Sequence, residues 1–123
     1  VVILVGGVAL LMYGTKLMED RMLRERDDIL KTRLGDMRQA LRDYHERERA
    51  YPESLDKLVP AFLPVIPVDP VTRKADWRLI TEETVTPNDD FARAQAPKSR
   101  SVIVDVKSAA AGAGRDGVAY ADY

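Results

Sequence analysis

The chain has 123 residues, enough for one domain. Its 19 Lys and Arg against 20 Asp and Glu give a net charge of −1, without the basic face that a nucleic-acid binder uses to neutralise phosphates. There is no cysteine and one histidine, His45, which excludes disulfides, thiol nucleophiles and multi-histidine metal sites. Any Ser-His-Asp arrangement would have to use His45, so the composition argues against an enzyme.

All seven prolines lie beyond residue 51, and the only helix breakers in residues 1–50 are Gly6, Gly7, Gly14 and Gly35. Proline costs about 3 kcal/mol inside a helix and glycine about 1, so one continuous helix over residues 1–50 is expected. It would be roughly 75 Å long at about 1.5 Å per residue, too long to bury itself against the remainder of the chain. Some further partner is required. Val1–Thr15 carries no charge and would span about 22 Å, short of the roughly 30 Å bilayer core. It reads as a thin or truncated membrane span, as a buried core helix, or as a signal peptide. The run opens the chain and passes into Lys16-Leu17-Met18-Glu19-Asp20 without a small-x-small cleavage site, which speaks against the signal peptide.

From Lys16 to Arg49 fall ten basic and nine acidic residues. Pairs at i,i+4 such as Asp20–Arg24, Asp27–Lys31 and Asp43–Arg47 are each worth about 0.2–0.5 kcal/mol on a solvated helix face. Through these charges runs an apolar seam: Leu23, Leu30, Leu34, Met37, Leu41 and Tyr44. The spacing is that of heptad a and d positions, with Asp27 breaking one site. The seam suits either an isolated coiled coil or a long helix lying on its own C-terminal part. The second is favoured, because a sheet-like segment follows that needs a cover.

Tyr51-Pro52 is expected to end the helix, and residues 53–59 read as a short helix with Leu55, Leu58 and Val59 inward. Pro60, Pro64, Pro67 and Pro70 punctuate an extended connector whose Phe62, Leu63, Val65, Ile66 and Val68 can dock on a core, and Asp69-Pro70 starts a turn. Residues 77–80 form a short strand candidate with Trp77 as the largest core anchor. Residues 81–100 lack apolar periodicity and read as a long loop, which in a small domain often marks a binding or assembly surface. Residues 101–107 are the clearest strand, with Val102, Val104 and Val106 on one face and Ile103, Asp105 and Lys107 on the other. A small-residue loop and a terminal strand at Val118-Ala119-Tyr120 complete the chain.

Few residues suggest chemistry. Gly112-x-Gly114 has no following helix, so the dinucleotide fingerprint fails on context. His45 lies in a dense charged run and reads as solvated. The adjacent acids Asp89 and Asp90 also read as solvated. Ser108, Asp116 and Asp122 could offer hard oxygen ligands to calcium, though such a site would be poor in charge and their reading as turn and terminal residues is favoured.

The apolar-then-amphipathic helix is followed by Ala50-Tyr51-Pro52-x-x-Leu55-x-x-Leu58-Val59 and Phe62-Leu63-Pro64-x-Ile66-Pro67-Val68-Asp69-Pro70. This order resembles the major (G-type) pseudopilin of bacterial type II secretion systems, within the type IV pilin-like family. Lys31-Thr32-x-Leu34-x-x-Met37-Arg38-x-Ala40, Val104-Asp105-Val106-Lys107-Ser108 and Arg115-Asp116-Gly117-x-x-Tyr120 add to the likeness, which covers nearly the whole chain. The family usually closes on Trp where Tyr123 stands. It also begins with a methylated Phe followed by Thr-Leu-x-Glu, a pattern that would fall about six residues before Val1. Either those residues precede Val1 in the encoded protein or the chain is an atypical member. Six more apolar residues would bring the run to about 21, enough to span a bilayer, which favours the first.

The resemblance implies an α+β, type IV pilin-like fold: a long N-terminal helix packed on a small C-terminal antiparallel sheet, with a Pro-rich connector. Residues 1–15 would be the membrane or filament-core segment, 16–50 its amphipathic continuation, and 51–123 a globular part in the periplasm. Before assembly, the subunit would sit in the bacterial inner membrane as a single-pass protein. It would then stack with copies of itself into a helical filament, alongside other pseudopilins and the secretion assembly platform, in the periplasm or outside the cell. The assembly core would comprise Val1, Val2, Ile3, Leu4, Val5, Gly6, Gly7, Val8, Leu10, Leu11 and Tyr13, with Gly6, Gly7 and Gly14 loosening or breaking the helix or permitting close helix contacts. Helix-to-sheet packing would rest on Leu30, Leu34, Met37, Leu41, Tyr44 and Trp77. Arg24 and Arg26 are expected as exposed charges at subunit contacts. No cofactor is implied beyond calcium, for which the acids of the C-terminal loop are few. Two alternatives share the features: a type IV pilin for adhesion or motility, which usually carries a disulfide impossible here, and a single-pass anchored periplasmic coiled-coil domain.

Overall fold

With no proline before residue 52, nothing interrupts the backbone hydrogen bonding of the first 48 residues. In the computed structural model, which describes residues 2–85 and 99–123, one helix, α1, runs unbroken over Val2–Glu48, 47 residues. It passes straight through Gly6, Gly7 and Gly14, so these glycines do not break it. α1 stops at Glu48 rather than at Tyr51-Pro52. Arg49 turns into the left-handed region at φ 59°, and its N–H donates to the His45 carbonyl at 2.8 Å, a helix ending more often made by glycine.

The rest of the chain folds against the second half of α1. Leu30, Leu34, Met37, Ala40 and Leu41 are buried, and Tyr44 packs on the same cluster. The seam is therefore covered by the molecule's own C-terminal part. A 3-10 turn at Leu55–Leu58 buries Leu58, and the connector beyond it contributes Leu63, with Phe62 and Ile66 partly buried. Val65 and Val68, expected to dock, are exposed instead. Trp77 packs into the same cluster at 6% exposure, and its indole N–H donates to the Pro67 carbonyl at 2.7 Å. Pro52 ties the connector to the sheet, its carbonyl accepting the Ile103 N–H at 2.8 Å.

The sheet has two antiparallel strands, β1 (Arg78–Val85) and β2 (Ser99–Lys107). It is longer than the sequence pattern suggested. Thr81–Val85 extends β1, and Ser99 and Arg100 extend β2, where a loop over 81–100 was expected. The central part of that expected loop, with Asp89 and Asp90, lies outside the described residues. The register shifts between Ile80 and Thr81: Ile80 faces Asp105 but Thr81 faces Ile103, leaving Val104 as an extra residue. Such a bulge reverses the side-chain alternation beyond it. Ile103 and Val106, three residues apart, consequently share the core, while Val104 is only half-buried. Of the expected face of Val102, Val104 and Val106, Val106 joins the core cluster and Val102 is buried outside it, while Ile103 takes the core place expected of Val104.

After β2 the chain returns to the helix. The expected terminal strand is reduced to a single bridge, Ala113 with Ala119, followed by a 3-10 turn at Tyr120–Asp122 that buries Tyr120. Gly114 sits close under Tyr123: a Cβ there would meet the Tyr123 hydroxyl oxygen at 1.8 Å, so a larger residue would push that side chain aside. Gly117 is forced by backbone, at φ 81°.

Candidate assembly surface

Two surfaces of α1 stand out, one apolar and one polar. The apolar one is its first half. Every described side chain from Ile3 to Glu19 is exposed: Ile3 at 90%, Leu4 at 74%, with Val5, Val8, Leu10, Leu11 and Tyr13 all more than half exposed. The exposed run continues past the uncharged segment through Leu17, Met18 and Met22. Gly6, Gly7 and Gly14 leave open space beside the helix, and Gly7, Leu10, Leu11, Gly14, Thr15 and Met18 line a shallow groove there. A large apolar side chain gains about 1.5–3 kcal/mol on burial, and contiguous apolar surface of this extent marks an interaction site. Among the described residues, no helix is long and apolar enough to cross a membrane. Of the assembly residues expected from the sequence, Val1 and the side chain of Val2 lie outside what the structure describes.

The polar surface begins where the arm ends and holds the C-terminal segment. Asp20, Asp27, Lys31 and Arg38 recur at steps of 7, 4 and 7 residues, a ridge beside the apolar seam. Asp27 is buried at 4% exposure. Its carboxylate accepts the Arg115 backbone N–H at 2.8 Å and the Tyr120 hydroxyl at 3.0 Å. Arg26 donates to the same Tyr120 oxygen at 3.0 Å. Asp20 pairs with the Arg115 guanidinium. Lys31 donates to Asp116 at 2.9 Å and lies 4.7 Å from the centre of the Tyr123 ring. Arg38 bonds Asp105 at 2.9 Å and the backbone oxygens of Val106 and Tyr123 at 3.0 and 2.7 Å.

Several expectations change on this ridge. Asp27 does not pair with Lys31, nor Asp20 with Arg24, because both acids turn to the C-terminal segment, and Asp43 accepts from Gln39 instead of Arg47. Arg26 is half-buried rather than exposed, and its Nε is buried without a partner among the described residues. His45 is exposed, stacked on Tyr51 with ring centres 4.3 Å apart.

Electrostatics follow the contacts. The hydrogen bond from Lys31 holds the Asp116 carboxyl below its ordinary range, helped by the Val118 N–H. The same bond raises the Lys31 ammonium. Burial, and then donation to Asp27, pushes the Tyr120 hydroxyl up. Burial and then donation to Asp116 do the same for Tyr123.

The calcium candidates go to separate partners. Ser108 is buried and its hydroxyl donates to Asp69 at 2.5 Å. Asp116 is engaged with Lys31, and Asp122 is exposed in the last turn. Among the described residues, no group of three or more His, Asp and Glu could hold a metal ion. Asp69, which sequence reasoning gave only a turn role, is fully buried. It accepts the Val71 and Thr72 N–H groups as well as Ser108, clamping the connector to the residues after β2.

Compared with protein-family models, curated proteins and solved structures, the chain finds no match.

Proposed function

We propose that the chain is the structural subunit of a pseudopilus-like helical filament of the type II secretion kind, with a pilin-like fold, assembling through the first half of α1. The observation that carries this reading is the uncovered apolar surface from Ile3 to Met22, continuous with a second half whose apolar seam is buried against the C-terminal part. A side chain such as Leu4 or Leu11 gains little from water, so the arm trades lipid for copies of itself. Heterologous contacts along a helix do not close, and they generate a filament. The motif from Tyr51 to Pro70 supports the particular class, because Pro52, Leu58, Leu63 and Asp69 of that motif are all buried in the fold. Residence in the inner membrane, a periplasmic C-terminal part and a secretion role belong to this proposal. The subunit would act by polymerising, not by catalysis.

The absence of native cysteine gives a clean test. In cells, a variant with Leu4→Cys and Leu11→Cys is oxidised and its products are separated by size. A filament predicts a ladder of covalent multimers beyond the dimer. A parallel coiled-coil pair, the main rival, stops at two chains.

A further inference from the structure

The residues present do not fit the calcium ion that the family resemblance implies. Calcium takes six to eight oxygen ligands. Ser108 has its oxygen committed, donating to Asp69 and accepting the Ala110 N–H at 3.1 Å. Asp116 has both oxygens committed: Oδ2 takes Lys31, while Oδ1 takes the Val118 N–H at 3.1 Å and the Tyr123 hydroxyl at 3.2 Å. The cleft between α1 and this segment is lined by Arg24, Asp27, Asp28, Lys31, Arg115 and Asp116. Three carboxylates there face three cationic side chains, so no surplus negative charge remains to attract a divalent ion.

We infer that Lys31 is itself the cation of this segment: residues 115–123 are closed onto α1 by the chain's own ammonium and guanidinium groups, and the closure does not depend on a divalent metal. The ammonium carries three donors on a flexible stem. It reaches Asp116 and the face of Tyr123 together, and Tyr123 in turn donates to Asp116, so one charge organises both ends of the segment. Arg115 contributes a second tie, its guanidinium on Asp20 and its backbone N–H on Asp27. Arg38 adds a third, on the Tyr123 backbone oxygen. A calcium ion entering here would have to displace an ammonium 2.9 Å from the carboxylate it needs.

The inference stands apart from filament formation and is tested on the folded full chain in detergent by amide hydrogen exchange. The reporters are the N–H groups of Arg115 and Val118, which are given to the carboxylates of Asp27 and Asp116. In the native chain, millimolar calcium or a calcium chelator should leave both rates unchanged. Lys31→Met should speed both about five- to tenfold, from the loss of a charged hydrogen bond and a cation–π contact, with or without calcium. Lys31→Arg should retain most of the protection. Slower exchange in the native chain on adding calcium would overturn the inference, as would native rates in Lys31→Met.

Discussion

Asp27 occupies a position where the heptad seam calls for leucine, between Leu23 and Leu30. A buried carboxylate is costly unless its lone pairs are used, and here the Arg115 N–H and the Tyr120 hydroxyl use them. The two readings of the seam therefore predict opposite outcomes for Asp27→Leu. In a coiled coil the substitution repairs the seam and stabilises it. In this fold it strands two donors and destabilises by about 1–3 kcal/mol, read as a lower denaturation midpoint. The acid–base behaviour of the same region has a fixed sign. Asp116 titrates below its ordinary value in the folded chain, so its contribution is present above the unfolded value and is lost as the pH falls through the folded one. Lys31 and Tyr120 titrate above theirs, so their contributions are complete below the unfolded values and are lost as the pH rises through the folded ones. Protection of the Arg115 and Val118 amides should accordingly form a plateau, falling below about pH 4 and above about pH 10. Loss of protection between about pH 5 and 9 would contradict this assignment.

At the scale of elements, what the sequence shows depends on whether one segment's own pattern decides its fate. α1 was legible because the absence of proline and the heptad seam act within the segment itself. So was the core of β2, whose alternating β-branched residues need no partner to be recognised. β1 beyond Ile80 was not: Thr81, Glu82, Glu83 and Thr84 are all exposed, so no apolar alternation marks them, and only the β-branched Ile80, Thr81, Thr84 and Val85 signal a strand. The bulge at Val104 depends on pairing with β1 and leaves no trace in β2 alone. The polar ridge was present as the spacing of Asp20, Asp27, Lys31 and Arg38, but it looked like a solvated face because its partners lie 67 to 95 residues away. Trp77 joins these elements, packing in the cluster shared by α1 and β2 while bonded to the connector. Trp77→Ala should cost about 3–5 kcal/mol, and the native indole should emit at short wavelength. A water-like emission maximum with an unchanged midpoint would mean that the C-terminal part does not pack on α1.

Taken whole, the molecule is half packed and half bare. The C-terminal part packs on one face of α1 from about Asp20 onward through apolar contacts and the polar ridge, and among the described residues none covers the arm from Ile3 to Glu19. The two halves of one helix thus differ: the second has its apolar seam buried within the chain, and the first leaves its apolar side chains open to a partner. The monomer should therefore fold without the arm, since among the described residues the core cluster begins at Leu30. The most direct measurement compares the full chain with a chain lacking residues 1–15, each freed of detergent and viewed by electron microscopy alongside sedimentation. The full chain should form fibres of constant width, and the shortened chain should sediment as a folded monomer. Fibres from the shortened chain, or a full chain that stops at a discrete dimer, would contradict assembly through the apolar arm.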